Sequence, residues 1–260
     1  MLNISSHMKN FIKKIKNKFF YLLNPLYPKI VRVVAYSIYR KLIIHAAKAE
    51  NLQIPLPQLG GNFYNENTSG KGKTTIQKWE LISPLIGDDC KTAADIGCFH
   101  GYFSLQLAAK NIFTIGYEPL EDLVRMANEA SFVSKTRNVS FTTQAISPEN
   151  IDSLFSVDVI ILMSVMQRWN ELYGRDVAEN MLKKIWAKTK KILIFEYPNP
   201  VSSSKMSNTL KFLGSTENEC EKNISLILSQ LPESQVQLLG YLPTDFRPDE
   251  KRHLFAIKKL

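Results

Sequence analysis

Asp95-Ile96-Gly97-Cys98-Phe99-His100-Gly101-Tyr102-Phe103-Ser104 decides how this chain is read. Ala93-Ala94-Asp95-Ile96, ahead of the first glycine, has the length and apolar content of a short buried strand. Tyr102–Ala109, after the second glycine, reads as a helix. Between them the backbone must pass from strand to helix within a few residues. Glycine permits this because it has no Cβ, which also lets the backbone approach a ligand closely. Strand, glycine turn and helix in this order open a βαβ unit.

The alternation continues downstream. Phe113–Glu118, Val139–Thr143, Val157–Met163 and Lys191–Tyr197 read as strands, the last two almost wholly apolar. Residues 120–132 and 176–188 read as helices. Continuous apolar strands separated by helices imply a parallel sheet covered on both faces. Val236–Tyr241 and His253–Lys258 are two further strands with no helix between them, an antiparallel pair at the edge. The expectation is an α/β three-layer sandwich on a seven-stranded sheet, parallel except for the C-terminal pair.

Upstream, residues 76–86 read as a helix leading into the first strand, and residues 51–75 carry Pro55, Pro57, Gly60, Gly61, Gly70 and Gly72 among polar residues, which reads as a linker. Gly70-Lys71-Gly72-Lys73-Thr74 imitates part of a phosphate-binding loop, but that motif needs a glycine where Asn67 stands and an apolar strand before it. The expected division is an arm and linker over residues 1–75 and a globular domain over residues 76–260.

The arm is distinguished by charge. Net charge is +9, yet residues 1–48 hold ten Lys/Arg and no Asp/Glu, leaving 23 basic and 24 acidic residues in the rest. Ile12, Ile15, Phe19, Leu22 and Leu23 recur at helical spacing among lysines, Pro25 and Pro28 interrupt, and a second helical run follows over residues 29–50. This pattern suits either an amphipathic pair on an anionic membrane surface, through residues 9–48, or a helical cap with a solvated lysine face. No stretch approaches the ~20 apolar residues of a membrane span, and the arm lacks the small-residue cleavage site of a signal peptide. A cytoplasmic protein, peripheral on the membrane, is expected.

Composition narrows the classes further. Apolar residues at 45% and charged residues at 22% exclude a disordered or fibrous chain. Cys90, Cys98 and Cys220 are odd in number and far apart, so they build neither a disulfide framework nor a CxxC metal site. His7, His45, His100 and His253 are scattered, and no metal site is expected.

In an open α/β sheet, ligands bind beyond the carboxyl ends of the strands at the topological switch point. The glycine turn lies there, and so does Glu118, at the end of the next strand, where a carboxylate can accept hydrogen bonds from both hydroxyls of a ribose. The spacing Gly97-x-x-x-Gly101 does not fit the GxGxxG fingerprint of dinucleotide-binding proteins.

Together these features resemble the class I S-adenosylmethionine-dependent methyltransferases over residues 76–260. Asp95, Gly97 and Gly101 match that family's first motif, with Phe99 at its middle glycine. Glu118 matches the ribose-binding acid, Gln144-Ala145-Ile146 the segment beside the adenine, and Asp158–Ser164 the fourth-strand motif. The resemblance implies a Rossmann-like methyltransferase sheet. It also implies S-adenosyl-L-methionine as cofactor, held by Asp95, Gly97, Cys98, Phe99, Gly101, Glu118, Pro119, Gln144, Ala145 and Met163.

Candidates for a general base, by position, are His100 in the first loop and Glu196 and Tyr197 after the fifth strand. Gln167 and Arg168 follow the fourth strand, where Gln167 cannot act as a base and Arg168-Trp169 reads as a surface stack. Tyr64, Trp79, Trp169 and Tyr197 are aromatic candidates for an acceptor pocket. The leading expectation is methyl transfer to a small-molecule, glycan or lipid-linked acceptor near the cytoplasmic membrane face. Two alternatives stay open: a tRNA-modifying enzyme whose basic arm tracks phosphates, and a non-catalytic scaffold of the same fold. Nucleic acid is disfavoured because the body carries no second basic stripe.

Overall fold

The computed structural model describes residues 73–198, 210–243 and 251–260. The expectations for the two arm helices, the linker and Tyr64 lie outside the described residues.

Seven strands form one sheet in the order β3-β2-β1-β4-β5-β7-β6. They are β1 Thr92–Ile96, β2 Phe113–Glu118, β3 Val139–Thr143, β4 Val157–Met163, β5 Thr189–Pro198, β6 Ser234–Pro243 and β7 Lys251–Lys259. The first five run parallel, while β7 lies antiparallel to both β5 and β6. The expected terminal pair is present, but within it only β6 is an edge, because β7 is inserted between β5 and β6. The helices are α1 Lys73–Ile82, α2 Tyr102–Ala109, α3 Glu121–Ser134, α4 Met166–Tyr173, α5 Arg175–Lys188 and α6 Glu217–Ser229. The chain runs outward from β1 through β2 to β3, then returns to place β4 on the other side of β1, so the switch point lies between β1 and β4.

β4 illustrates how the layers arise. Successive side chains of a strand point to opposite faces. Val159 and Ile161 pack with Ile82, Leu107 and Ile112 on the face of α1 and α2. Ile160 and Leu162 pack with Met181, Ile185 and Trp186 on the face of α4, α5 and α6. All four are essentially inaccessible, which is why the strand reads as an unbroken apolar run. Truncating Ile160, Ile161 or Leu162 to alanine is expected to cost about 2–5 kcal/mol. Asp158 anchors the opposite end of the strand: its Oδ2 accepts the Lys91 and Thr92 N–H groups at 2.8 and 3.0 Å.

Two helices were not expected. α6 begins with a capping box in which Thr216 accepts the Glu219 N–H while the Glu219 carboxylate accepts the Thr216 N–H, and it buries Cys220, Ile224 and Leu228. α4 is short and starts immediately after β4. α1 begins at Lys73, so the expected boundary at residue 76 falls inside it; Lys73 and Thr74 of the glycine-lysine stretch are helical there.

Candidate functional site

A cleft of about 690 Å³ opens at the carboxyl ends of β1, β2, β4 and β5. Its first half is built on the glycine turn. The N–H groups of Gly97 and Cys98 both donate to the Tyr117 carbonyl, at 2.8 and 3.0 Å, and Gly101 N–H donates to the Cys98 carbonyl at 2.8 Å. Gly101 has φ +83°, and a Cβ there would sit 2.7 Å from the Phe141 ring, so both conformation and packing require glycine. Phe99 takes φ +52° as well, a left-handed conformation that costs a residue with a Cβ about 1–2 kcal/mol. Its N–H donates to Glu118 Oε2 at 3.0 Å, and the Leu120 N–H donates to Glu118 Oε1 at 3.1 Å. Glu118 is buried, and these two bonds hold its carboxylate at the end of β2, where it lines the cleft.

Asp95 is 2% exposed and its Oδ2 accepts the Ser104 hydroxyl at 2.6 Å, tying β1 to α2. Burial pushes its carboxyl up to about 7. Gln144 N–H donates to the Glu118 carbonyl at 3.0 Å, which sets Gln144 and Ala145 along the cleft beside β2. Trp169 fixes the next residue by donating its indole N–H to the Ile146 carbonyl at 3.1 Å.

The second half is ionic. Glu196, at the end of β5, is almost wholly buried and pairs with Lys78 from α1. Arg252 Nη1, at the start of β7, lies 3.7 Å from the second oxygen of Glu196. The Ser164 hydroxyl donates to that same oxygen at 2.5 Å and accepts a hydrogen bond from Arg252. Burial opposes the charged form of Glu196, but Lys78 and Arg252 outweigh it and hold the carboxyl below the usual range. Ser164 itself has φ +62°. Its carbonyl accepts the Gln167 amide N–H at 2.6 Å.

No protein-family profile matches this sequence, and no curated protein is similar to it in sequence comparison. Solved structures are similar. The bifunctional kinase-methyltransferase WbdD superposes with a TM-score of 0.55 at 19% identity, over 72% of this chain and 38% of that one. Magnesium protoporphyrin IX methyltransferase (ChlM) from Synechocystis PCC 6803, with bound SAM, superposes with a TM-score of 0.51 at 18% identity, over 72% of this chain and 78% of that one. This is the class I methyltransferase fold. The chain spans little more than a third of the length of WbdD.

Within the methyltransferase fold, the structure brings all ten residues expected at the cofactor to the cleft or its glycine turn; among them Asp95, Gly97, Cys98, Phe99, Glu118, Pro119, Gln144, Ala145 and Met163 line it, and Gly101 closes the turn behind them. The base candidates fare differently. Tyr197 is in the core: it is 1% exposed, its ring stacks on Phe195 at 5.7 Å, and its hydroxyl accepts the Asn170 amide at 2.5 Å. Side chains alternate along β5, so a strand that turns Glu196 to the cleft turns Tyr197 to the helices. Glu196 does line the cleft, but as an ion-paired carboxylate held well below neutral, which makes it a weak base. His100 also lines the cleft, its ring 4.0 Å from that of Phe99, and burial drives its imidazole down to about 3. Trp169, read as half of a surface stack, is 3% exposed and packs inward. Arg252 carried no local signal, since an arginine opening a strand looks solvated in one dimension, and Lys78 was read only as part of the helix that leads into the first strand. Among the described residues, no group of three or more His, Cys, Asp or Glu could hold a metal ion, and no helix is long and apolar enough to cross a membrane.

Proposed function

We propose that this chain is an S-adenosylmethionine-dependent methyltransferase. The observation that carries the reading is Glu118: a buried carboxylate fixed by two backbone N–H groups, beside a glycine turn, at the end of the strand next to the switch point of this sheet. Each of its oxygens accepts one N–H and keeps a lone pair, which suits a cis-diol on the open side. The cleft volume of about 690 Å³ falls in the range of sites for ligands of this size. Leu120 and Leu123 supply an apolar wall next to Gln144 and Ala145, in keeping with a purine ring.

When bound, the cofactor supplies an already activated methyl group. The chain's own contribution is then placement and exclusion of water. Of the candidate bases, Glu196 is an ionised partner of two cations and His100 is a neutral imidazole of low basicity, so neither is poised to take a proton near pH 7.

For the acceptor we favour a small molecule, glycan or lipid-linked species at the cytoplasmic face of a membrane. Support comes from the ten basic and no acidic residues of positions 1–48 beside an almost neutral remainder. Calorimetric titration with S-adenosylmethionine and S-adenosylhomocysteine, with NAD as control, tests the cofactor. Micromolar binding of the first two without NAD supports the reading, and no binding of either removes it. Deleting residues 1–48 tests the location: anionic vesicles should no longer pellet the protein while cofactor binding persists, and continued pelleting would refute the membrane role of the arm.

A further inference from the structure

The amino ends of the strands, opposite the cleft, carry a second surface. The five parallel strands all start there, so Phe113 opens β2, Phe155 stands two residues before β4, and Phe132 lies in the last turn of α3 before β3. These three rings are 52%, 74% and 69% exposed. One exposed apolar side chain needs no explanation, but three at one end of a sheet mark a surface. β2 and β4 flank β1, which sets Phe113 and the start of β4 about 10 Å apart. Phe113 N–H donates to the Lys91 carbonyl and Thr114 N–H to the Asn138 carbonyl, both at 2.9 Å, so the segment that follows Phe132 is tied to the start of β2. Cations surround the rings. Lys91, Lys135, Arg137 and Lys190 are exposed at this end, and residues 183–191 hold five lysines and no acid. Lys184 and Lys188 both meet Asp152, three residues before Phe155, on its carboxylate at 2.6 Å and its carbonyl at 2.9 Å. Asp89 is held in the same way by Lys191.

Apolar rings standing out of a basic surface match an anionic bilayer. The rings enter the boundary between head groups and acyl chains, and the cations meet the phosphates. We infer that the amino end of the sheet is the face that lies on the membrane, through Phe113, Phe132 and Phe155. The inference rests on the membrane reading of residues 1–48. The arm supplies the attraction and this face sets the orientation, two signals of the kind that stable anchoring takes. Without the arm, the face alone is too weak to carry the protein down with vesicles. The orientation has a consequence for the acceptor. β4, with seven residues, separates the two ends of the sheet by about 20 Å, and the cleft opens at the far one. It therefore faces away from the bilayer, which suits a soluble acceptor or the outer part of a glycan and leaves a head group in the membrane plane out of reach.

Site-directed labelling reads the orientation. Cys90, Cys98 and Cys220 are buried, so an added surface cysteine can be labelled selectively. A polarity-sensitive dye is attached to the full chain carrying Phe155→Cys and, at the other end, to the full chain carrying Leu172→Cys, because Leu172 is 70% exposed and lines the cleft. Each is mixed with vesicles of phosphatidylglycerol and phosphatidylcholine, and with vesicles of phosphatidylcholine alone. The dye at position 155 should shift to the blue and brighten at least twofold with the anionic vesicles only, while the dye at position 172 should not respond. Phe132→Cys takes the place of Phe155→Cys if the latter does not fold. A response at position 172 that equals or exceeds the one at position 155 overturns the inference, because the cleft would then meet the bilayer. Silence at both positions in a chain that pellets with the anionic vesicles also overturns it and leaves the arm as the contact. If the unlabelled chain does not pellet with anionic vesicles, the membrane reading of the arm falls and the inference with it.

Discussion

The backbone N–H of Phe99 donates a 3.0 Å hydrogen bond to Oε2 of Glu118, joining the tip of the glycine turn to the end of β2. Neither residue is well placed alone. Phe99 sits in a left-handed conformation that a side chain disfavours, and Glu118 is a buried carboxylate. Their contact offsets both costs, and it fixes the carboxylate before any ligand arrives.

Glu118→Ala should therefore do two things at once. It strands the N–H groups of Phe99 and Leu120, for a loss of about 1–3 kcal/mol in stability. It also removes the ribose contacts, so the affinity for S-adenosylhomocysteine should fall by about 10–100-fold, or ~1.4–2.7 kcal/mol. Urea denaturation and calorimetry read the two effects separately. Unchanged nucleoside affinity would show that the cofactor is held elsewhere.

Asp95 makes stability fall with rising pH. Burial raises its folded-state pKa to about 7, above the unfolded value of about 3.9. Between these values the folded state keeps a proton that the unfolded state has lost, so the contribution is fully present below about pH 4 and gone above about pH 7. The difference amounts to ~4 kcal/mol. Asp95→Asn keeps an acceptor for the Ser104 hydroxyl and abolishes the titration. Its denaturation midpoint should exceed that of the native chain at pH 8 and converge with it near pH 4. A variant that loses equal stability at both pH values would contradict this.

His253 acts with the opposite sign. It is inaccessible, its ring lies 4.5 Å from that of Tyr241, and neither ring nitrogen has a hydrogen-bond partner among the described residues. Burial lowers its pKa to about 4, below the unfolded value of about 6.5. Its stability is present above pH 6.5 and is lost as the pH falls toward 4, by about 2–3 kcal/mol. His253→Phe should raise the melting temperature at pH 7 and flatten the acid limb of the stability curve. An acid limb as steep as before would assign the titration to another group.

Tyr197→Phe distinguishes a core residue from a catalytic one. The substitution removes one hydrogen bond with Asn170, for about 0.5–1.5 kcal/mol in stability. Affinity for S-adenosylhomocysteine should stay within twofold. A tenfold loss would return Tyr197 to the site.

The parts of this fold that were legible in the sequence are those whose signal is local. β4 and β5 are apolar because both faces are covered, and the glycine turn is marked by residues that a φ near +80° requires at Gly101. α6 had a local signal too, the Thr216-x-x-Glu219 box followed by Cys220, Ile224 and Leu228 at helical spacing, which the absence of a longer apolar run obscured. α4 has eight residues, too few to establish a period. In the ionic half of the cleft only Glu196 and Ser164 were marked, by their place at the ends of β5 and β4. Lys78 and Arg252 join them from α1 and β7, and only the sheet order that sets β7 against β5 brings Arg252 to Glu196. The direction of the Tyr197 side chain was a matter of strand phase, which is fixed once Glu196 faces the cleft.

The insertion of β7 between β5 and β6 gives the protein a timetable. Every other strand leaves the ribosome first, and at about 5–20 residues per second the roughly fifty residues that separate β5 from β7 take about 3–10 s to emerge. During that interval the Ile192-Leu193-Ile194-Phe195 backbone is an open apolar edge, the kind that recruits strands from other chains. A chain lacking residues 251–260 should be recovered mainly in aggregates, and a soluble, monomeric product would contradict this. Glu196 also waits through the same interval for Arg252, so the strand that seals the sheet and the cation that completes the ionic floor of the cleft arrive in a single event.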